Sequence, residues 1–138
     1  MSEALIQVHE LWFDDGSIIL RAHRYIFKVY KGLLASRSPV LSALFHEKKQ
    51  KKRKKLGNDV DVDIDGCPIV KLDDNPEDLR VFLLALYHTG FFPESKPTDF
   101  DTLAGILRLS VKYSVTELLH RCINHLLSTY PMTLEDWD

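Results

Sequence analysis

The chain opens with short apolar runs and closes with long periodic ones. "SIILRA" (Ser17–Ala22) and "YIFKVYK" (Tyr25–Lys31) are β-branched and aromatic, with only His23 and Arg24 between them. That spacing predicts two strands joined as a hairpin. The alternation is imperfect: Phe27 and Val29 keep it, whereas Ile26, Val29 and Tyr30 do not. Upstream, "LWF" (Leu11–Phe13) runs into "DDG", a turn signal, and predicts a peripheral strand. Downstream, "CPIVKL" (Cys67–Leu72) has the length and content of a short buried strand.

Helical periods fill the rest. "KGLLASRSPVLSALF" reads as two short helices, with Ser38 as N-cap and Pro39 at a first helical position that tolerates proline. Val40, Leu41, Leu44 and Phe45 share a face of the second. "DDNPEDLRVFLLALYHTG" offers Asn75 as cap, Pro76 in the first turn, Glu77 and Asp78 against the helix dipole, and Gly90 as stop. Its apolar residues Leu79, Phe82, Leu83, Leu86 and Tyr87 follow helical spacing. "DTLAGILRLSVKY" aligns Leu103, Ile106, Leu107 and Val111. In "SVTELLHRCINHLLSTYP", Ser114 and Glu117 have capping-box spacing. Val115, Leu118, Leu119, Cys122, Ile123, Leu126, Leu127 and Tyr130 form one stripe up to Pro131. The order predicts an α+β domain: a small three-stranded sheet flanked by about five helices.

Composition narrows the class. With 138 residues, 45% apolar and 28% charged, the chain is long enough for one core. No run reaches the roughly 18 apolar residues of a membrane span, and "MSEALIQVHE" lacks the basic-then-apolar order of a secretory signal. Cys67 and Cys122 are far apart, which suits a reducing compartment better than a disulfide framework. The expected location is cytoplasmic or nuclear.

Charge changes the picture at one place. Seven of the eight residues Lys48–Lys55 are Lys or Arg; without those seven the formal net charge falls from −2 to −9. An acidic body repels a phosphate backbone, so nucleic acid is not an expected partner. The stretch 46–66 is expected to be a charged loop insertion, and Lys51, Lys52, Arg53, Lys54 and Lys55 also fit a nuclear-import signal. Asp59, Asp61, Asp63 and Asp65 alternate with Val60, Val62 and Ile64, a strand-like pattern without the glycine and glutamate of a calcium loop. His120, Cys122 and His125 lie close on the last helix, and Cys122 and His125 could share a face, but Cys122 is on the apolar stripe and nothing supplies the remaining ligands of a zinc site. There is no nucleophile elbow, phosphate-binding glycine loop or metalloprotease motif. No catalytic residue, cofactor or metal is expected.

These residues and their order resemble the BTB/POZ domain. The matching stretches are "FKVYKGLLASRSPVLSALF" (Phe27–Phe45), "PEDLRVFLLALYHTG" (Pro76–Gly90) and "LRLSVKYSVTELLHRCINHLL" (Leu107–Leu127). Tyr30 stands where the family usually has His. "LWFDDGSIILRA", "DGCPIVKLDD" and "YPMTLEDWD" look most like BTB proteins of mushroom-forming (basidiomycete) fungi. The resemblance implies a domain over residues 17–130, an N-terminal extension 1–16 that is exchanged as a strand between partners, and a tail 131–138. It implies a non-enzymatic interaction domain that forms homodimers or hetero-oligomers with other BTB proteins. The dimer surface would comprise Leu11, Trp12, Phe13, Val40, Leu41, Leu44 and Phe45, an apolar set large for a lone domain's surface. In adaptor-type members a hydrophobic-x-Glu element binds a cullin scaffold; Phe92, Pro93 and Glu94 fit it, with Phe92 and Glu94 as the contacts. Two roles follow: substrate adaptor for a cullin-type ubiquitin ligase, or nuclear regulator assembling transcriptional complexes.

Overall fold

The structure, a computed structural model, describes residues 4–54, 64, 66–88 and 100–129. Among them are four strands and five helices, an α+β arrangement: β1 (Ile6–Trp12), β2 (Ile18–Ala22), β3 (Tyr25–Val29), α1 (Lys31–Arg37), α2 (Pro39–Lys54), β4 (Ile69–Leu72), α3 (Pro76–Tyr87), α4 (Phe100–Lys112) and α5 (Thr116–Thr129). The chain divides into two compact units, Met1–Pro76 and Glu77–Asp138.

The first unit is built on a mixed sheet of order β1-β3-β2-β4. It has four strands, one more than the pattern predicts, because "LWF" is the end of a longer strand. That strand lies parallel to β3 with an irregularity between Gln7 and Trp12. β2 and β3 form the expected hairpin, Ala22 opposite Tyr25. His23 carries the turn at φ 56°, the positive first position of a II′-type turn. β4 runs parallel to β2.

The broken alternation now has a cause: the hairpin is apolar on both faces. One face carries Ile18, Leu20, Ala22, Phe27 and Val29, all buried. On the other, Ile19, Ile26 and Cys67 form a small cluster covered by Trp12, Ile64 and Ile69. Gly16 closes the turn between β1 and β2, its N–H donating to the Phe13 carbonyl at 2.9 Å. A Cβ there would sit 2.9 Å from Lys28 Cγ and 3.1 Å from the Val29 carbonyl oxygen, so the turn admits only glycine.

Ser38 joins α1 to α2. Its N–H donates to the Leu34 carbonyl at 2.8 Å, and its buried Oγ accepts the Leu41 N–H at 3.0 Å. The N-cap is as the sequence predicts. The length of α2 is not. The expected loop 46–66 begins as helix, and α2 continues through the basic run to Lys54. Glu, Lys, Gln and Arg are strong helix formers and no Gly or Pro intervenes before Gly57. Basic residues also suit the negative end of the helix dipole. Of the alternating aspartate segment, Ile64 is described: it bridges Cys67 and packs on the sheet cluster.

The second unit is helical. α3 begins at Pro76 with Glu77 and Asp78 in its first turn and buries Leu79, Val81, Phe82, Leu83, Leu84 and Ala85. Gly90, Tyr130 and Pro131 lie outside the described residues. Asp78 on α3 accepts from Arg108 on α4 at 3.0 and 3.1 Å. Gly105 lets this happen, since a Cβ there would lie 2.6 Å from Asp78 Oδ1. Phe82 and Tyr113 rings meet at 5.8 Å, and Arg121 on α5 reaches the Ala85 carbonyl at 3.4 Å.

The capping box is overturned. Ser114 has φ 54°, whereas an N-cap is extended. The Val115 N–H donates to the Ser110 carbonyl at 2.9 Å and the Ser114 N–H to the Val111 carbonyl at 3.2 Å. This pair is the Schellman motif. Ser114 therefore ends α4 and does not start α5. Two stripes are also narrower than expected. On α4, Leu103, Ile106 and Leu109 are buried but Val111 is exposed; on α5, Val115, Leu118 and Cys122 are buried, Leu119 and Leu126 half-buried, Ile123 and Leu127 exposed.

Candidate interaction surface

The seven residues expected at a dimer surface divide by burial. Leu11, Leu41 and Phe45 are core residues of the single chain. In α2 the inward positions are Leu41 and Phe45, four residues apart on one face, which leaves the adjacent Val40 outside. Val40 is 36% exposed, and Leu44, one turn on, is half-buried. Val40 and Leu44 are therefore the part of the α2 group left at the surface.

On the sheet, Trp12 is half-buried against the Ile19–Ile26–Cys67 cluster. Phe13 is half-buried and its ring stacks on Tyr30 at 4.9 Å between centroids. Tyr30 stands at the corner between β3 and α1, and its Oη donates to Asp15 Oδ1 at 2.7 Å. The carboxylate acceptor raises the Tyr30 phenol above its ordinary value of 10.0. The Ser17 Oγ accepts the Lys31 N–H at 2.9 Å and completes the corner. Sequence reasoning singled out Tyr30 as a departure but missed its stack on Phe13. The signal was available: an aromatic directly before a turn at the end of one strand, and another directly after the paired strand.

Lys51, Lys52, Arg53 and Lys54 lie in the last turns of α2; Lys55, Phe92, Pro93 and Glu94 lie outside the described residues. Among the described residues, no three His, Cys, Asp or Glu side chains gather as metal ligands. Cys122 is buried, with Sγ 3.6 Å from the Leu103 carbonyl oxygen, and burial pushes its thiol up to about 11, far from a reactive thiolate. No described helix is long and apolar enough to cross a membrane.

The chain matches the BTB/POZ domain family over residues 13–130. A comparison with curated proteins returns no match. The match begins one residue after β1 and takes in the sheet hairpin, both units' helices and the exposed Val40 edge of α2. BTB/POZ domains are protein–protein interaction modules, generally non-enzymatic, that commonly dimerise or oligomerise. On this match, and on the strand–helix order that accompanies it, the chain belongs to the BTB/POZ domain family.

Proposed function

We propose that the chain is a non-enzymatic recruitment module that self-associates through α2 and its N-terminal region and presents a second surface to another protein. The observation that carries this reading is Val40, exposed one turn from half-buried Leu44 on a helix whose Leu41 and Phe45 are in the core. An apolar pair at i, i+4 on an otherwise polar helix surface is the kind of anchor a partner helix covers. Trp12 and Phe13 extend the surface, and residues 1–16 are the segment proposed to exchange. Homodimers and mixed oligomers with other BTB proteins both follow. The test is sedimentation of the purified chain: Val40→Asp should remove the α2 association step and give a smaller species than the parent, while the melting temperature stays within a few degrees.

For the recruited protein, the first reading is a cullin scaffold of a ubiquitin ligase, contacted by Phe92 and Glu94. Purified cullin N-terminal domain should be retained by the chain and lost with Glu94→Ala. The second reading, a nuclear regulator of transcriptional complexes, is favoured by one feature: a run of seven cations in a chain otherwise at −9. Replacing Lys51, Lys52, Arg53, Lys54 and Lys55 with Ala in a fluorescent fusion should abolish nuclear accumulation if that reading holds. The cytoplasm or nucleus is the proposed location. The stretches "LWFDDGSIILRA" and "YPMTLEDWD" support an affinity with the BTB proteins of mushroom-forming fungi.

A further inference from the structure

Within the second unit, α4 and α5 are joined by only Tyr113, Ser114 and Val115. Yet Cys122, well into α5, still touches Leu103, near the start of α4. Helices in contact so far on both sides of a tight turn run antiparallel, side by side, as a hairpin. The residues that turn inward are Leu103, Ile106 and Leu109 on α4, and Leu118, Cys122 and His125 on α5.

Each helix carries a second apolar stripe beyond that inward face. On α4 it is Phe100, Ala104, Leu107 and Val111; on α5 it is Leu119, Ile123 and Leu126, with Leu127 beside them. Both follow four- and three-residue steps, the spacing of a helix–helix seam. α3 meets α4 at Gly105 and α5 at Arg121, and α4 meets α5 at Leu103 and Cys122; at about 100° per residue both stripes fall on the side of the α4–α5 line away from α3, so they form one surface two helices wide. No charged residue interrupts either stripe. Four of these residues are exposed: Phe100 is 64% exposed, Val111 61%, Leu127 58% and Ile123 38%.

We propose that this face pairs with the same face of a second copy, two hairpins closing into a four-helix bundle. Size argues for that occupant. At roughly 100–200 Å² for a whole apolar side chain, these residues leave on the order of 400 Å² open per copy. Interfaces between like chains are about 65% apolar, so the full patch is on the order of 600 Å² per copy. That approaches the roughly 800 Å² per partner of a specific interface. A single docked helix is one helix wide and leaves half of a two-helix face uncovered. An identical hairpin matches its width, and a two-fold axis needs only one patch, used twice. The pairing is independent of the α2 surface. With both in use, dimers join into tetramers or longer assemblies, since two different two-fold contacts on one chain do not close at two copies.

Sedimentation velocity from low to several hundred micromolar tests this with three variants. Val111→Glu combined with Leu127→Glu alters positions more than half exposed, so the fold, followed by circular dichroism, is unchanged. It should weaken one association step at least about tenfold, because it buries like charges against each other. Val40→Asp should retain that step, and the triple variant should be monomeric throughout. The proposal is overturned if the Val111→Glu, Leu127→Glu chain associates as the parent does, or if the Val40→Asp chain stays monomeric at the highest concentration. Failure of the α2 reading looks different: Val40→Asp then leaves association untouched while the α4–α5 variant abolishes it.

Discussion

Single residues here are decided by geometry that their type alone does not reveal. Ser114 has the identity of an N-cap and the spacing of a capping box, but the backbone places it at φ 54° as the residue that ends α4. In that left-handed region a side chain is strained by about 1 kcal/mol or more, and glycine is not. Part of that gain is returned through the greater freedom of glycine in the unfolded chain. Ser114→Gly should therefore raise the melting temperature by a degree or two, and Ser114→Val should lower it by several; a capping role would make both destabilising. Ser38 is the reverse case, a cap that is one. Its Oγ bonds the Leu41 N–H, and Ser38→Ala should cost about 1 kcal/mol by thermal denaturation. Tyr30 gives a readout in pH. Its hydrogen bond to Asp15 raises the folded-state pKa above 10.0, so the folded chain holds that proton more tightly than the unfolded one. The bond's stabilisation is thus fully present below pH 10 and is lost as pH rises through the folded value. Absorbance titration at 295 nm should show a late phenol in the parent chain that Asp15→Asn moves to lower pH.

At the scale of elements, a glycine sets the contact between α3 and α4. Helix propensity alone favours Gly105→Ala by about 1 kcal/mol. Here the added Cβ meets Asp78 Oδ1 at 2.6 Å and Asp78 Cγ at 3.2 Å, and Asp78 is held by two bonds from Arg108. The carboxylate can give way only if the Arg108 guanidinium paired with it shifts too. Gly105→Ala should therefore be destabilising, by roughly 1–3 kcal/mol, and urea denaturation gives the sign directly. Gly105 also marks what the chain does not announce. Helix existence, the hairpin at His23–Arg24, the Ser38–Pro39 start and the Pro76 start are all legible, because periodicity and caps are local. The extent of α2 is not, because charged residues read equally as loop and as exposed helix until their propensities are weighed. Nor is the end of α4, because a Schellman motif with serine at its left-handed position looks like the beginning of the next helix. The stripes on α4 and α5 were read too wide for a related reason: spacing shows that Val111 and Leu127 share an apolar surface, but not whether the chain itself covers it.

At the scale of the whole molecule, the question is which apolar residues serve the fold and which serve a partner. The group Val40, Leu41, Leu44 and Phe45 reads as one face in sequence, yet positions 40 and 41 are about 100° apart on a helix. The structure separates them: Leu41 is 1% exposed and Val40 36%. A carboxylate at 41 is an uncompensated charge in the core and should cost roughly 3–5 kcal/mol, a large fraction of the 5–15 kcal/mol that holds a domain together. A carboxylate at 40 stays solvated in the lone chain and becomes costly only when a second chain covers it. Leu41→Asp should therefore be found unfolded or insoluble, and says nothing about association. Val40→Asp should melt within a few degrees of the parent and sediment as a smaller species. The pair is informative because the two substitutions are chemically equal and adjacent, so only the direction of the side chain differs. If Val40→Asp also unfolds the chain, Val40 belongs to the core and the partner-facing part of α2 must be sought at Leu44. If both variants fold and associate as the parent does, α2 is not an interface, and self-association rests on the outer face of the α4–α5 hairpin.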